Sequence, residues 1–177
     1  VATKYRSPPL NPGRVPRPHL LRRLDAGVQA GQRLLLLSAP AGYGKTTLLL
    51  QWTAHHRSRT PGEDGGAPAD SASPVAATDC AWLTLDPADN DPLRFLTYVV
   101  AAIQHASPAS GAITAALLQS ADPSAVPSLL AALTNDVGST SHHVALILDD
   151  YHVIAAQPIH DMLAYLIRYA PENLLFV

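Results

Sequence analysis

Apolar residues along the chain form two kinds of pattern: short continuous runs and longer segments with helical spacing. Continuous runs of strand length at 33–39, 80–85, 143–152 and 173–177 predict four strands. Helical patterns predict helices around and between them, at 19–30, 45–57, 92–106, 112–120, 125–137 and 159–169. Strands that alternate with helices indicate an α/β fold with a mostly parallel sheet covered on both faces.

The predicted helix at 92–106 carries the clearest boundary signals. Asp91 can cap it, with Pro92 at its first position. The turn-rich loop 86–92 has aspartates but lacks the glycine and terminal glutamate of a calcium loop, which favours a capped turn. The apolar and aromatic residues that we expect in the core are Phe95, Val99, Ala102, Ile103, Trp52, Trp82 and Tyr98.

Two segments have little to bury. Residues 1–18 contain five prolines and three arginines and predict an extended N-terminal arm. Residues 58–78 are rich in Pro, Gly, Ala, Ser and Asp and predict a flexible surface insertion. The remaining span, 19–177, is then one globular domain. Because the chain starts without Met and ends on an apolar run, we expect it to be cut from something longer.

Composition limits the classes of partner. The 12 basic and 14 acidic side chains give a formal net charge of −2, which lacks the basic footprint of a nucleic-acid-binding segment. The apolar run at 34–37 is too short for a membrane helix, and the N-terminus has no signal peptide. The single Cys80 excludes an internal disulfide framework and fits a reducing compartment, so the cytoplasm is the expected location.

A glycine-rich loop joins the first predicted strand to the second predicted helix. The stretch SAPAGYGKTTLL at 38–49 matches the end of the phosphate-loop pattern G-x-x-x-x-G-K-[ST] at Gly44, Lys45 and Thr46, with Ala39 at the first glycine position. Backbone N–H groups of such a loop and the start of its helix bind phosphate oxygens. The predicted nucleotide-binding residues are Ala41, Gly42, Tyr43, Gly44, Lys45, Thr46 and Thr47.

Each polar side chain of this loop has an expected role. Lys45 would lie between the terminal phosphates, Thr46 would offer its hydroxyl to Mg²⁺, and Thr47 would donate to the innermost phosphate. The predicted strand 143–152 supplies the complementary acids about 100 positions downstream. Asp149 would hold Mg²⁺ through water, and Asp150 would orient or deprotonate an attacking water as the catalytic residue.

The histidines form no clear site. Eight histidines include the adjacent pairs 55–56 and 142–143, but without a Cys or carboxylate cluster they predict solvated polar residues rather than a metal site. His152, just past the acids, is either a simple loop residue or a γ-phosphate sensor.

Four segments together resemble a known family. These are VPRPHLLRRLDAG, LLLLSAPAGYGKTTLLLQW, AWLTLDPADNDPLRFLTYVVAAI and LILDDYHVI with the residues that follow it. They are similar to the nucleotide-binding domain of MalT-like regulators, which are LuxR-type transcriptional activators of the STAND class of P-loop ATPases. Alanine-proline-alanine before GYGKTT is usual in that family, so Ala39 is no mark of decay.

The resemblance implies a three-layer α/β/α P-loop NTPase fold, truncated here after the fourth strand. The strand 173–177 would insert between the loop strand and the acid-bearing strand, leaving 33–38 as an exposed edge prone to aggregation. Residues 15–18 would line the adenine. The fifth strand, the winged helix, the sensor repeats and the C-terminal DNA-binding part are expected outside this chain, so that DNA is a partner only through them.

These features predict a module that switches a regulator between ADP and ATP states, with Mg²⁺ as cofactor and weak ATP hydrolysis at most. The resemblance also implies ATP-dependent self-association of the full-length protein. One alternative is a kinase-like phosphotransferase, although only Arg168 follows Asp150 as a lid arginine. Another is a degenerate scaffold that hydrolyses nothing, against which the intact loop and acids argue.

Overall fold

The computed structural model describes residues 3–9, 13, 15–57 and 78–177. The expected insertion at 58–78 lies outside them except for Thr78, which begins a strand. Six helices of this part are α1 (Pro18–Gln29), α2 (Lys45–Arg57), α3 (Pro92–Ala106), α4 (Ala112–Leu118), α5 (Val126–Gly138) and α6 (Gln157–Tyr169). The strands are β1 (Thr78–Thr84), β2 (His143–Asp149) and β3 (Leu174–Phe176), and short 3-10 turns occupy Pro87–Asp89, Pro123–Ala125 and Tyr151–Val153.

The three strands form one parallel sheet in the order β1-β2-β3. Its strands and helices therefore alternate as the apolar pattern predicts. The segment that leads into the glycine loop lies beyond β3, where Leu35 N donates to Phe176 O over 2.8 Å and Phe176 N donates to Arg33 O over 3.0 Å. Thus β3 lies between this segment and β2, as the family resemblance implies.

The prediction of a regular strand at 33–39 was wrong in extent. The segment makes one isolated parallel bridge, between Leu34 and Phe176, and has no further ladder in the described residues. The physical reason is that β3 is only three residues long and pairs with the segment through Phe176, the last residue of β3. The further backbone pairs that a strand needs are therefore missing. Leu36 is accordingly 83% exposed.

Alternate strand residues face opposite layers of helices. One face carries Ala81, Leu83, Val144, Leu146, Leu174 and Phe176, which pack with buried residues of α3, α5 and α6. The other face carries Trp82, Ala145, Ile147 and Leu175, which pack with Leu24 of α1 and with Leu48, Leu49, Leu50 and Trp52 of α2. Because side chains alternate along a strand, every strand contributes to both cores. The predicted three-layer α/β/α architecture is confirmed.

Most element boundaries agree with the sequence signals. Asp91 Oδ1 accepts from Arg94 N over 2.8 Å with Pro92 at the helix start, which confirms the predicted cap of α3. Asp86 and Asp89 make a capping box around the preceding 3-10 turn. α4 ends two residues before its predicted limit, and β1 begins two residues before its predicted start.

The predicted core residues are confirmed, with Trp52, Trp82, Phe95, Val99, Ala102 and Ile103 buried and Tyr98 packed at the core margin.

Parts of the predicted N-terminal arm contact the domain. Lys4 O accepts from Thr84 N over 2.9 Å, and Tyr5 packs against the core formed with α3. Pro18 belongs to α1 as its first residue rather than to the arm. No helix in the described ranges is long and apolar enough to span a membrane.

Candidate functional site

The glycine loop runs from the end of the 33–38 segment to the start of α2. Gly42 and Gly44 have φ values of 80° and 79°, a left-handed conformation that side-chain-bearing residues rarely adopt. The two glycines therefore allow the chain to turn sharply before Lys45, the first residue of α2. The loop and the helix start occupy the positions that the sequence pattern predicts.

The Lys45 side chain folds over the first half of the loop. Its Nζ donates to Ala39 O over 2.7 Å and to Pro40 O over 3.2 Å. The N–H groups in the first turn of any helix have no intrahelical acceptors. In α2 these N–H groups belong to Lys45, Thr46 and Thr47. The loop thus brings a cation and the positive end of a helix together.

Thr46 and Asp149 meet where α2 begins and β2 ends. Thr46 Oγ1 donates to Asp149 Oδ1 over 3.0 Å and also lies 3.2 Å from Oδ2. Asp149 is only 7% exposed. Burial raises the pKa of its carboxyl above the ordinary value, the charge of Asp150 raises it further, and the hydrogen bond from Thr46 opposes the rise.

This pair fits a small divalent cation chemically. A threonine hydroxyl and a carboxylate are hard oxygen ligands of the kind that Mg²⁺ takes. A buried carboxylate whose pKa is raised by burial also gains from a nearby positive charge. Thr46 and Asp149 are therefore the described residues that could hold Mg²⁺.

Asp150 lies beside this pair in an unusual backbone conformation. With φ 61° and ψ 32° it is the one non-glycine residue with positive φ among those that the structure describes. Its carboxylate is about half exposed, and Oδ1 lies 3.8 Å from His152 Nδ1. The sharp turn at Asp150 directs the chain out of β2, and its exposed carboxylate is free to meet water.

Asn90 fastens the segment that follows Asp150, a role that sequence analysis missed. Its Oδ1 accepts from Ala155 N over 2.7 Å and from Ala156 N over 2.9 Å, and its Nδ2 donates to Val153 O over 3.1 Å. The turn-rich sequence around Asn90 predicts only a capped turn before a helix. An amide that can both donate and accept was the available signal, but its partners are more than 60 positions away.

The N-terminal arm contacts the loop and α2. Arg17 Nη1 donates to Tyr43 O over 2.8 Å, and Gln51 Nε2 donates to Val15 O over 3.1 Å. Tyr43 is 65% exposed. Residues 15–18 therefore lie beside the loop and α2, and their contact with adenine stays a prediction.

The histidine prediction was wrong for one member. His56 is buried, with Nε2 3.1 Å from Asp25 Oδ1 and its ring 4.7 Å from the Trp52 ring. His56 faces the interface between α1 and α2, because residues four positions apart lie on the same face of a helix and Trp52 is buried at that interface. His142 remains exposed, with Nδ1 3.4 Å from Asp79 Oδ2. No group of three His, Cys, Asp or Glu residues with metal-site geometry occurs in the described part of the chain.

Comparison with known proteins identifies a family relationship. No family model matches the chain. Proteins described as "HTH-type transcriptional regulator MalT" are similar: that of Klebsiella pneumoniae subsp. pneumoniae is 34% identical over 163 residues, covering 92% of this chain and 16% of the relative. The Yersinia enterocolitica protein is 35% identical over 161 residues, with coverages of 91% and 15%, and the Cronobacter sakazakii protein is 32% identical over 163 residues, with coverages of 92% and 16%.

The chain spans only about one sixth of the length of these relatives. The similarity covers about nine tenths of this chain. The chain is therefore similar to one region of proteins named as MalT transcriptional regulators, which is consistent with a MalT-like region.

Proposed function

We propose that the chain is an ATP/ADP-binding regulatory module that uses Mg²⁺ and hydrolyses ATP slowly. The contact of Thr46 Oγ1 with Asp149 Oδ1 carries the proposal, because it places a hydroxyl and a carboxylate beside a phosphate-type loop. Gly42 and Gly44 support it through the backbone conformation that lets N–H groups approach an anion.

Each residue has a physical role in this proposal. Lys45 Nζ donates to two loop carbonyls in the nucleotide-free chain, and it would donate to the terminal phosphates when nucleotide binds. Ala41, Gly42, Tyr43, Gly44 and Thr47 would surround the phosphate chain with backbone or hydroxyl donors. Bound Mg²⁺ would neutralise phosphate charge, and Thr46 and Asp149 would hold it.

Hydrolysis would use the exposed acid. Asp150 would accept a hydrogen bond from a water molecule and orient it toward the γ-phosphorus. As the water oxygen bonds to phosphorus, the bond from phosphorus to the β–γ bridging oxygen breaks, giving ADP and phosphate, and the water proton passes to Asp150 or to solvent. The carboxylate of Asp150 is about half exposed, so that water can reach it.

The module would serve a longer regulator. The relatives are named as transcriptional regulators of the helix-turn-helix type, and this chain covers about one sixth of them. We therefore propose that DNA binding resides in other parts of the whole protein and that nucleotide exchange governs its self-association in the cytoplasm. The net charge of −2 agrees with a segment that does not itself contact DNA.

Calorimetric titration of ADP and ATP, each with Mg²⁺, tests the proposal. We expect the chain to bind both nucleotides and Lys45→Ala to lose binding by about a hundredfold or more, equivalent to two charge-assisted contacts. Arg23→Ala removes an exposed cation from α1 and serves as the matched control. Absence of binding by the folded, unsubstituted chain contradicts the proposal and favours a scaffold.

A second assay addresses hydrolysis. Phosphate release from ATP should be slow and should fall further in Asp150→Asn, while ADP affinity stays within about twofold because Asp150 acts on water rather than on the diphosphate. Radiolabelled γ-phosphate should appear only as inorganic phosphate. Its appearance on another molecule would replace the switch proposal by a phosphotransferase.

A further inference from the structure

Arg17 connects the N-terminal arm to the middle of the glycine loop. Its Nη1 donates to Tyr43 O over 2.8 Å, a charge-assisted hydrogen bond. The same guanidinium lies against the next residue, since a Cβ built on Gly44 would come 3.3 Å from Arg17 Nη2. Arg17 thus hydrogen-bonds the Tyr43 carbonyl and lies beside the Cα of Gly44.

Because the Tyr43–Gly44 peptide is planar, the hydrogen bond to the Tyr43 carbonyl also restricts the orientation of the Gly44 N–H. In a trans peptide the carbonyl C=O and the following N–H point in opposite directions within one plane. Fixing the Tyr43 carbonyl on Arg17 therefore fixes the Gly44 N–H so that it points away from Arg17. In a loop where glycines at 42 and 44 give the backbone wide conformational freedom, such a restraint removes an alternative rotation of this peptide.

Arg17 is itself anchored well enough to act as a restraint. Its carbonyl accepts from Leu20 N over 3.0 Å and from Leu21 N over 3.2 Å, which makes it part of the start of α1. Two residues earlier, Val15 O accepts from Gln51 Nε2 of α2 over 3.1 Å. Because α1 also packs on α2 through their shared core, the guanidinium starts from a backbone tied to the helix that follows the loop.

We propose that Arg17 is a positioning residue that preorganises the glycine loop for phosphate by orienting the Gly44 amide. The inference rests on the proposed function, since it deepens the role of the same loop. Arg17 acts through Tyr43 and does not need to touch the nucleotide. Its effect on affinity would come from conformational freedom that is removed before binding.

Titration of ADP with Mg²⁺ into four forms of the chain tests this inference. Arg17→Met keeps the length of the side chain and removes the donors, and it should raise Kd about tenfold, because about one residue of loop backbone must then be ordered on binding. Arg17→Lys retains a donor of similar reach and should recover part of that loss. Arg23→Met makes the same chemical change at an exposed site of α1 and should leave Kd within about twofold.

Backbone ¹⁵N relaxation in the nucleotide-free chain provides the readout that separates positioning from contact. The order parameter of the Gly44 amide should fall in Arg17→Met and stay unchanged in Arg23→Met. If Arg17 instead contacted the phosphate directly and did not restrain the empty loop, Arg17→Met would weaken binding and leave this order parameter unchanged. Circular dichroism and urea unfolding confirm that each variant is folded, and Arg17→Gln, too short to reach Tyr43 O, replaces Arg17→Met if that variant does not fold.

The outcomes are distinguishable. If the unsubstituted chain does not bind ADP, the proposed function fails. If it binds and Arg17→Met binds equally well, the inference alone is overturned. Weaker binding with an unchanged Gly44 amide also overturns the inference, because Arg17 would then act on the nucleotide directly.

Discussion

Thr46 Oγ1 lies 3.0 Å from Asp149 Oδ1, although 103 positions separate the two residues in the chain. The contact forms because α2 starts beside the carboxyl end of β2, so the first turn of a helix faces the last residue of a parallel strand. Open parallel sheets place ligand sites at this edge. One hydrogen bond therefore joins the two halves of the proposed site.

Asp149→Asn tests how the buried carboxylate affects the stability of the chain and its affinity for nucleotide. The amide oxygen can still accept from Thr46 Oγ1, but the charge is lost from a residue that is 7% exposed. We expect urea unfolding at pH 7 to show a nucleotide-free chain at least as stable as the unsubstituted one, because a poorly solvated charge has been removed. Affinity for ADP with Mg²⁺ should fall about ten- to a hundredfold.

Asp161→Asn is the matched control for this substitution. Its carboxylate lies on an exposed face of α6 and accepts, in the part of the chain that the structure describes, a local hydrogen bond from Gln157 Nε2 over 2.9 Å. Stability and nucleotide affinity should both stay close to those of the unsubstituted chain. A large loss of stability in Asp149→Asn would contradict the argument, because it would mean that the charge itself stabilises the empty fold.

Gly42→Ala and Gly44→Ala separate backbone strain from steric contact. Both positions have φ near 80°, so alanine should lower the free energy of unfolding by about 1–2 kcal/mol at each. A Cβ at Gly42 meets open space, whereas one at Gly44 approaches Arg17 Nη2 to 3.3 Å. Gly44→Ala should therefore be the less stable variant in urea unfolding. Equal stabilities would show that Arg17 moves aside without cost.

Local signals predicted much of this fold. The cap at Asp91, the continuous apolar run of β2 and the glycine loop each depend on residues within one element, where backbone preference and apolar patterning act directly. The loop segment at 33–39 shows the limit of that logic. Its apolar run has the composition of a strand, but strand formation depends on a partner, and β3 offers it only the bridge at Phe176.

The side-chain contacts between distant elements could not be predicted in the same way. Arg17 with Tyr43, Asn90 with Ala155, and Asp25 with Trp52 each join residues more than 25 positions apart. Their pairing depends on how helices and loops dock, and no local pattern records it. His56 illustrates the consequence, since an adjacent histidine pair suggests two solvated side chains, and docking of α1 on α2 buries one of them.

Lys4→Met should destabilise the domain strongly. Lys4 Nζ pairs with Asp86 over 2.7 Å and with Asp89, whose carboxylate is fully buried. Without Lys4, the cation that still pairs with Asp89 among the described residues is Arg94, with Nε 3.4 Å from Oδ1. Leaving a buried charge this poorly compensated should cost about 3 kcal/mol in urea unfolding. Lys4→Met with Asp89→Asn should be more stable than Lys4→Met alone, and the reverse order would contradict the pairing.

The same contact predicts a change in acid sensitivity. The hydrogen bond from Lys4 holds the pKa of Asp86 below its ordinary value of 3.8. A depressed pKa contributes stability that is present above the ordinary value and is lost as pH falls through the depressed one. Lys4→Met removes this contribution, so its unfolding free energy should decline less steeply over that acidic window. Urea unfolding at a series of pH values measures the slopes, and identical slopes would contradict the assignment.

Asp25 should hold α1 against α2 through a buried indole. Trp52 is fully buried, and its Nε1 donates to Asp25 Oδ1 over 2.9 Å, while His56 Nε2 lies 3.1 Å from the same oxygen. Asp25→Ala leaves the indole N–H without this acceptor and should lower the free energy of unfolding by about 2 kcal/mol. Asp25→Asn keeps an oxygen at that place and should cost less than half as much. Urea unfolding followed by tryptophan fluorescence measures both, and an Asp25→Ala variant as stable as the unsubstituted chain would show that α1 docks through its leucines alone.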